Sequence, residues 1–359
     1  MFKTSLKFLG GAVVAGSMAV GAASAQDLPS TNFKVIGPWS NSTTWLLNIE
    51  PFWNDHMPKA SGGNITADLT SMTEMGLKGP EIFRLIKIGV ADMGTTVTGY
   101  ASGEVPELDG LDLSGVALTI EDMRKADEAY RPVLEKIMNE RVGVRPLALW
   151  PTVLQGIWCA VPIGGIDDMK GKKVRVFATT QADFMEAIGA TPVTMAFSEV
   201  VPAMQRNVID CAVSGTLSGN LAKWPEVATH LYPLAMGWST WMTTANERAW
   251  QKHPQSVRDF VQKEHVETLE AKAWKIADEG TNQGTWCTTG DSRCTWGEEE
   301  KITRYNRTHV PVTAEDSKKL AQLVQDVALP KFAERCGAEC TKVWNDSVGK
   351  ALGLSAKAK

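Results

Sequence analysis

Two segments within residues 168–210 carry the clearest structural signal in this sequence: Asp168-Met-Lys-Gly-Lys-Lys-Val-Arg-Val-Phe177 and Gly189-Ala-Thr-Pro-Val-Thr-Met-Ala-Phe-Ser-Glu-Val-Val-Pro-Ala-Met-Gln-Arg-Asn-Val-Ile-Asp210. Short apolar runs at residues 173–177 and 208–213 predict strands. The stretch between residues 181 and 188 predicts a helix, which Gly189 would end. Strand and helix alternate in this way in α/β folds.

The alternation continues on both sides of this region, and a second set of strand–helix units begins at Pro151. It predicts an α/β fold with largely parallel sheets, divided into two lobes. Lobe I would contain residues 26–150 and about 238–270, and lobe II residues 151–237 and about 271–359. A helix predicted from Pro254 to about Glu279 is long enough, at ~1.5 Å per residue, to brace both lobes. The cleft between such lobes is a usual ligand site.

Residues 1–25 have the pattern of a signal peptide. Two lysines precede an apolar run that glycines interrupt, and Ala23-Ser24-Ala25 supplies the small residues of a cleavage site. A membrane anchor is the alternative, but the run is shorter than the ~20 residues that span a bilayer. The sequence therefore predicts a protein exported to the periplasm, whose mature chain begins near Gln26.

Charge and motifs narrow the class of protein. A net charge of −4 argues against nucleic acid as a partner, so binding of an anion must depend on a local cation. The sequence lacks a G-x-S-x-G elbow, a Walker loop, a G-x-G-x-x-G fingerprint and an H-E-x-x-H pair. We therefore expect no catalytic residues, no cofactor and no metal site. A periplasmic hydrolase or isomerase acting on a carboxylate is the alternative, since active sites are spatial arrangements.

Six cysteines in an exported chain indicate disulfides. Cys287 and Cys294 flank a turn that suits a local bridge. Cys336 and Cys340 surround Gly337, where a regular helix would hold the pair awkwardly, so local unwinding or pairing with the other two cysteines stays open. Cys159 and Cys211 lie in predicted strands, either as a bridge between them or as buried thiols. A zinc site built from the last four cysteines lacks the C-x-x-C spacing.

The two quoted segments resemble the solute-binding subunits of tripartite ATP-independent periplasmic (TRAP) transporters, of the dicarboxylate-receptor type. Their pattern is D-[LM]-K-G-x-K-[VLM]-R-V, then G-A-x-P-[VT]-x-[ML], then F-x-E-[VL]-x-x-A-[LM]-Q and V-[IV]-D. The match covers more than forty residues in register. The resemblance implies a periplasmic-binding-protein-like fold with two lobes, crossover strands and a long bridging helix. It also implies delivery of an organic acid anion to integral-membrane permease subunits, and a homodimer is left open.

Arg175 is the position where the resemblance places the carboxylate-binding arginine. A planar guanidinium on a strand matches a carboxylate with paired hydrogen bonds, which a lysine cannot do. Val174 and Val176 alternate with Arg175, so the arginine lies on the opposite face of its strand. The alternative is an exposed arginine on an edge strand, which is the commoner place for an isolated arginine.

Further ligand-binding candidates come from strand ends and from the resemblance. Ser214 stands where many relatives have asparagine, and no arginine occupies the position near Gln155 where many relatives have a second one. Fewer charged contacts favour a monocarboxylate, and tryptophans at strand ends suit an aromatic or alicyclic acid, although core packing is the alternative and comes first for Trp158 and Trp241. A receptor that serves a signalling system would share all these residues. The remaining candidates are Trp39, Ser40, Asn41, Thr95, Thr96, Trp150, Phe197 and Trp238.

Overall fold

The computed structural model describes residues 28–358, so the predicted signal peptide at residues 1–25 lies outside the described residues. Eleven strands in this part of the chain form two sheets, with the orders β2-β1-β3-β10-β4 and β11-β9-β5-β8-β6-β7. The strands are β1 (Thr31–Gly37), β2 (Ile65–Ser71), β3 (Met93–Val97), β4 (Arg145–Pro151), β5 (Gln155–Cys159), β6 (Lys173–Val176), β7 (Thr191–Thr194), β8 (Cys211–Gly215), β9 (His230–Tyr232), β10 (Thr240–Ala245) and β11 (Thr308–His309).

Helices pack against these sheets and supply the rest of the core. Several α-helices continue into single π-helical turns, as at Met138–Val142 and His265–Glu270. The α-helices are α1 (Met57–Ala60), α2 (Met72–Met75), α3 (Ile82–Lys87), α4 (Ile120–Ile137), α5 (Thr179–Ala187), α6 (Val200–Gln205), α7 (Thr216–Leu221), α8 (Glu247–Trp250), α9 (Gln255–Glu264), α10 (Ala271–Thr289), α11 (Ala314–Leu323), α12 (Leu329–Trp344) and α13 (Lys350–Leu352).

Both sheets are mixed rather than largely parallel. β1 pairs in parallel with β2 and β3, whereas β10 runs antiparallel to β3 and β4. In the other sheet, β6 pairs in parallel with β7 and β8, whereas β5 runs antiparallel to β8 and β9. The chain passes between the sheets from β4 to β5 and returns from β9 to β10, so the strand that enters each sheet runs against its neighbours. The two-lobed α/β class is confirmed.

The two crossover segments are bonded to each other. The amide nitrogen of Gln155 donates to the carbonyl oxygen of Gly237 at 2.8 Å, and the Thr152 hydroxyl donates to the carbonyl oxygen of Trp238 at 2.8 Å. Asp112 accepts hydrogen bonds from the backbone N–H groups of Trp238 and Ser239 at 2.5 and 2.7 Å. Hydrogen bonds therefore hold the two crossover segments against each other. The lobe boundaries at residues 150 and 238 stay a prediction.

The bridging helix is longer than its sequence predicts, because α9, the turn His265–Glu270 and α10 run without interruption to Thr289. Glycine disfavours a helix, so Gly280 and Gly284 weaken the helix prediction for its last ten residues. In the structure these glycines permit close approach to lobe II: a Cβ on Gly284 would lie 2.2 Å from the backbone nitrogen of Leu217. Gly290, at φ 76°, ends the helix. The helix thus reaches from β4 of one lobe to α7 of the other.

The six cysteines form three disulfides. Cys159 and Cys211 lie opposite each other on the antiparallel strands β5 and β8. The other bridges are local, Cys287–Cys294 and Cys336–Cys340. Gly337 has φ 76° and ψ 173°, so α12 is unwound where the last pair forms. Of the two alternatives, the structure shows local unwinding: Cys336 pairs with Cys340, and neither pairs with Cys287 or Cys294.

Candidate functional site

A cavity lies between the two lobes, where loops that follow β1 and β3 face β5, β6 and β8. It contains about 420 Å³ of space between its lining atoms, and this volume includes space that is open to solvent. The lining comes from both lobes and from both crossover segments. It consists of Trp39, Ser42, Thr43, Thr44, Val97, Tyr100, Thr152, Gln155, Arg175, Phe177, Phe197, Ser214, Gly215, Ser218, Ser239 and Trp241.

Arg175 lines this cavity and is 1% exposed. Its strand, β6, is flanked by β7 and β8, and Val174 and Val176 fill the core on the other face of the sheet. The guanidinium donates from Nε to the carbonyl oxygen of Met195 at 3.0 Å and from Nη1 to that of Val213 at 2.8 Å. A guanidinium has five N–H groups, so three are not taken by these two carbonyls, and the Tyr100 side chain is a further hydrogen-bonding neighbour.

Burial sets the electrostatics of this arginine. It lowers the pKa of Arg175 to about 10, while Tyr100 and Glu199 favour the cation and oppose the shift. The ring of Phe177 lies 5.2 Å from the guanidinium carbon. Within residues 28–358, Arg175 is the one cationic side chain of the lining. At neutral pH the cavity therefore presents a single buried positive charge, whose remaining N–H groups are suited to an anion.

Aromatic rings from both lobes form the walls. Trp39, in the loop after β1, lies 5.7 Å between ring centroids from Phe197 of the other lobe. The same indole contacts Trp241 at 6.1 Å and Tyr100 at 6.1 Å, both edge-on. Its Nε1 donates to the carbonyl oxygen of Leu77 at 3.3 Å, which fixes the ring. The walls thus offer flat apolar surface to the body of a ligand.

Hydroxyl groups complete the lining. Thr43 donates to the Ser218 hydroxyl at 3.3 Å, a hydrogen bond between the two lobes. The Ser42 hydroxyl accepts from the backbone nitrogen of Trp45 at 3.1 Å. Hydroxyls can donate or accept as a ligand requires. They provide adaptable contacts around the fixed guanidinium.

The structure brings five of the eleven candidate residues together and leaves six outside the cavity lining. Ser40 and Asn41 are exposed at the start of the loop after β1. Thr95 and Thr96 are buried in β3, where Thr95 bonds to Thr243 at 2.8 Å and Thr96 donates to a backbone carbonyl. Trp150 and Trp238 are buried at the crossovers. The five candidates in the lining are Trp39, Gln155, Arg175, Phe197 and Ser214.

Sequence reasoning missed other lining residues. Ser42, Thr43 and Thr44 lie one to three positions beyond the candidate Asn41, at the end of the loop after β1 and the start of the helix that follows. Phe177 is two residues after Arg175 and therefore on the same side of the chain, a signal that was present. Trp241 was assigned to core packing, yet it borders the cavity from β10. Tyr100, Thr152 and Ser239 gave no local signal, because only the fold brings them to the cleft.

Residues 28–358 contain neither a cluster of metal-ligating side chains nor a membrane-spanning helix. No group of three or more histidine, cysteine, aspartate or glutamate side chains is placed to hold a metal ion. No helix in this part of the chain combines the length and apolarity needed to cross a bilayer.

Comparison with solved structures supports the architecture. The chain superposes on an extracytoplasmic solute receptor of Bordetella pertussis, DctP6, described as binding pyroglutamic acid, with a TM-score of 0.74 and 23% identity over 88% of this chain and 99% of that one. The periplasmic ectoine-binding protein of the Halomonas elongata TRAP transporter gives a TM-score of 0.74 at 15% identity, over 90% of this chain and 99% of that one. At this level of identity the likeness concerns the fold.

Sequence comparison reaches curated relatives and a family. The chain is 26% identical over 197 residues to the C4-dicarboxylate-binding periplasmic protein DctP of Rhodobacter capsulatus, which is 54% of this chain and 59% of that protein. It is 25% identical over 211 residues to the sialic acid-binding protein SiaP of Vibrio cholerae, 58% of this chain and 65% of that protein. The matches thus span less than two thirds of either relative.

The family comparison covers most of the chain, including the first loop, the Arg175 strand and nearly all of the bridging helix. Residues 37–286 match the family described as bacterial extracellular solute-binding protein, family 7. This chain belongs to that family, the DctP family of solute-binding proteins.

Proposed function

We propose that this protein is a periplasmic receptor that captures a small organic acid anion and delivers it to the membrane subunits of a TRAP transporter. Arg175 holds the carboxylate in this proposal. The supporting observation is a guanidinium that is 1% exposed, lines an interlobe cavity and keeps three N–H groups free of the two carbonyls that position it.

The lining favours an acid with one carboxylate. A second carboxylate in the same cavity would be buried without a cation, and burial of an unpaired charge is costly. The rings of Trp39 and Phe197 favour a flat or cyclic body. Structures with this fold have been described with pyroglutamic acid and with ectoine, both small cyclic carboxylates. The ligand class follows from this combination of one cation and aromatic walls.

The family and the predicted signal peptide support the proposed location in the periplasm, and the family supports the proposed membrane partner. The family is described as extracellular, and the predicted signal peptide at residues 1–25 would direct export. Two lobes that meet through Lys78–Glu199 and Thr43–Ser218 contacts form a closed carrier. Such a carrier can present its cargo to a permease by opening.

Isothermal titration calorimetry with a panel of aliphatic, alicyclic and aromatic acids tests the proposal. Arg175→Gln should lose about 2–5 kcal/mol of binding free energy, because a carboxylate would be left buried and unpaired. Arg175→Lys keeps the charge but loses the paired geometry, so it should also bind weakly.

Arg206→Gln is the matched control, because Arg206 is exposed on the same lobe and does not line the cavity. Thermal unfolding of each variant reports whether it folds. A folded Arg175→Gln protein that binds the same acid at wild-type strength would refute the assignment.

A further inference from the structure

Among residues 28–358, Gln155 is the one carboxamide side chain in the cavity lining. It is 1% exposed and stands at the first position of β5, directly after the chain crosses between the lobes. Its backbone N–H and C=O groups are bonded to the other crossover, at Gly237 and Met236. The backbone groups of Gln155 are therefore already bonded, and its side chain is the part that can contact a ligand.

Two hydrogen bonds in series determine which end of the Gln155 carboxamide has no partner. The backbone N–H of Phe177 donates to Oε1 of Gln181 at 3.1 Å, so the other end of Gln181 must be its NH₂ group. That group donates to Oε1 of Gln155 at 3.3 Å. The backbone donor at Phe177 thus fixes both amides in turn, and Nε2 of Gln155 becomes the end that still needs an acceptor.

Within residues 28–358, Nε2 of Gln155 has no hydrogen-bond partner although it is buried. A buried donor without an acceptor costs free energy, so an acceptor from outside the chain, such as a ligand, would remove that cost. Arg175 lines the same cavity. The site therefore offers two distinct donors, one charged and one neutral.

We propose that Gln155 donates to an uncharged acceptor of the bound acid, so that the substrate class is a monocarboxylate with a second, neutral acceptor such as a ketone, lactam carbonyl or hydroxyl. This inference rests on the proposed function, because it assumes that Arg175 holds the carboxylate. A neutral amide cannot compensate a second carboxylate in a buried site. A site built to bond a polar group also rejects the analogue that lacks it.

Gln155 also borders a second cavity, on the side of the bridging helix. That cavity is lined by Asn282 and Thr285 of α10, which do not line the first cavity. Asn282 is exposed and carries the same carboxamide group. It therefore provides a matched control that tells the two cavities apart.

Calorimetry with matched acids tests the proposal. Pyroglutamate and cyclopentanecarboxylate share a five-membered ring and a carboxylate, but only pyroglutamate has the ring carbonyl; levulinate and pentanoate form an open-chain pair. In the wild-type protein, the acceptor-bearing acid of at least one pair should bind about ten- to a hundredfold more tightly. Gln155→Met should abolish this preference, because the thioether has no N–H group to donate. Asn282→Met should preserve the preference.

The outcomes separate this proposal from the one it rests on. Binding that depends on Arg175 but is the same within each pair, or a preference that survives Gln155→Met, overturns the role of Gln155 alone. A preference lost in Asn282→Met also overturns it, since that side chain borders only the second cavity. Acids that bind equally well to wild type and Arg175→Gln, or not at all, count against both proposals.

Discussion

Nζ of Lys78 lies 2.7 Å from Oε1 of Glu199, and this ion pair joins one lobe to the other. Lys78 follows Leu77, whose carbonyl accepts the hydrogen bond from the Trp39 indole. Glu199 stands two residues after Phe197, which meets Trp39 across the cleft. The pair therefore adjoins the aromatic contact, on a more exposed surface. Charges in such a position can form their contact only while the lobes are together.

Lys78→Met should accelerate release of a bound acid about two- to fivefold, the usual effect of an exposed ion pair. The effect should shrink at high salt, because screening weakens the pair in the wild-type protein. Stopped-flow tryptophan fluorescence measures the rate. Lys342→Met is the control, since Lys342 pairs with Asp346 on its own helix. Equal release rates for wild type and Lys78→Met at low salt would contradict the prediction.

Arg175 shows what the sequence could reveal. Its alternation with Val174 and Val176 placed it on one face of a strand, and a long motif match identified that strand. Both signals lie within a short stretch of sequence, so they can be recognised without knowledge of the fold. The bridging helix shows the limit of such signals. Gly280 and Gly284 weaken a helix by propensity, yet contact with α7 favours them.

The cavity could be predicted only in part, for a related reason. Tyr100 and Trp241 reach it from segments far apart in sequence, and strand pairing between β3 and β10 brings those segments together. In the loop after β1, the candidate Trp39 does line the cavity, whereas Ser42, Thr43 and Thr44 were not predicted as lining residues. Ser42 to Thr44 face the cleft because the chain turns into a helix there, whereas Ser40 and Asn41 remain outside. Which side chains of this turn face the other lobe depends on tertiary packing.

The affinity for a carboxylate should fall at high pH. Burial lowers the pKa of Arg175 to about 10, and the bound anion would raise it again, so binding is full below this pH and is lost as the pH rises through it. Tyr100 should stay neutral over this range, because burial raises its pKa to about 12. Calorimetry from neutral pH to above 10 measures the profile. An affinity that rises with pH would contradict the prediction.

Two of the three disulfides, Cys159–Cys211 and Cys287–Cys294, should contribute unequally to the free energy of unfolding. Cys159 and Cys211 are separated by 52 positions, and Cys287 and Cys294 by 7. In the chain-entropy model the longer loop restricts the unfolded chain more, so replacing Cys159 and Cys211 by alanine should cost about 4 kcal/mol and replacing the other pair about 2 kcal/mol. Urea unfolding of the two double variants tests this. A larger loss for the shorter loop would show that another effect dominates.

Asp109 should make the stability of the protein depend on pH. Asp109 is 3% exposed, and its carboxyl group lies 3.8 Å from the guanidinium of Arg335, which also pairs with Asp183 of lobe II. Burial raises the pKa of Asp109 to about 7, and the Ser102 hydroxyl and Arg335 oppose this shift. The folded protein therefore keeps a proton that the unfolded chain releases near pH 4.

Asp109→Asn should consequently gain stability relative to wild type as the pH rises from about 4 to about 7. Between these values the folded wild-type protein binds more protons than the unfolded chain, so its free energy of unfolding falls with increasing pH. The neutral amide has no such dependence, and the difference between the two proteins should change by about 2–4 kcal/mol over this window. Urea unfolding at a series of pH values measures it. A constant difference would mean that Asp109 is ionised in the folded protein.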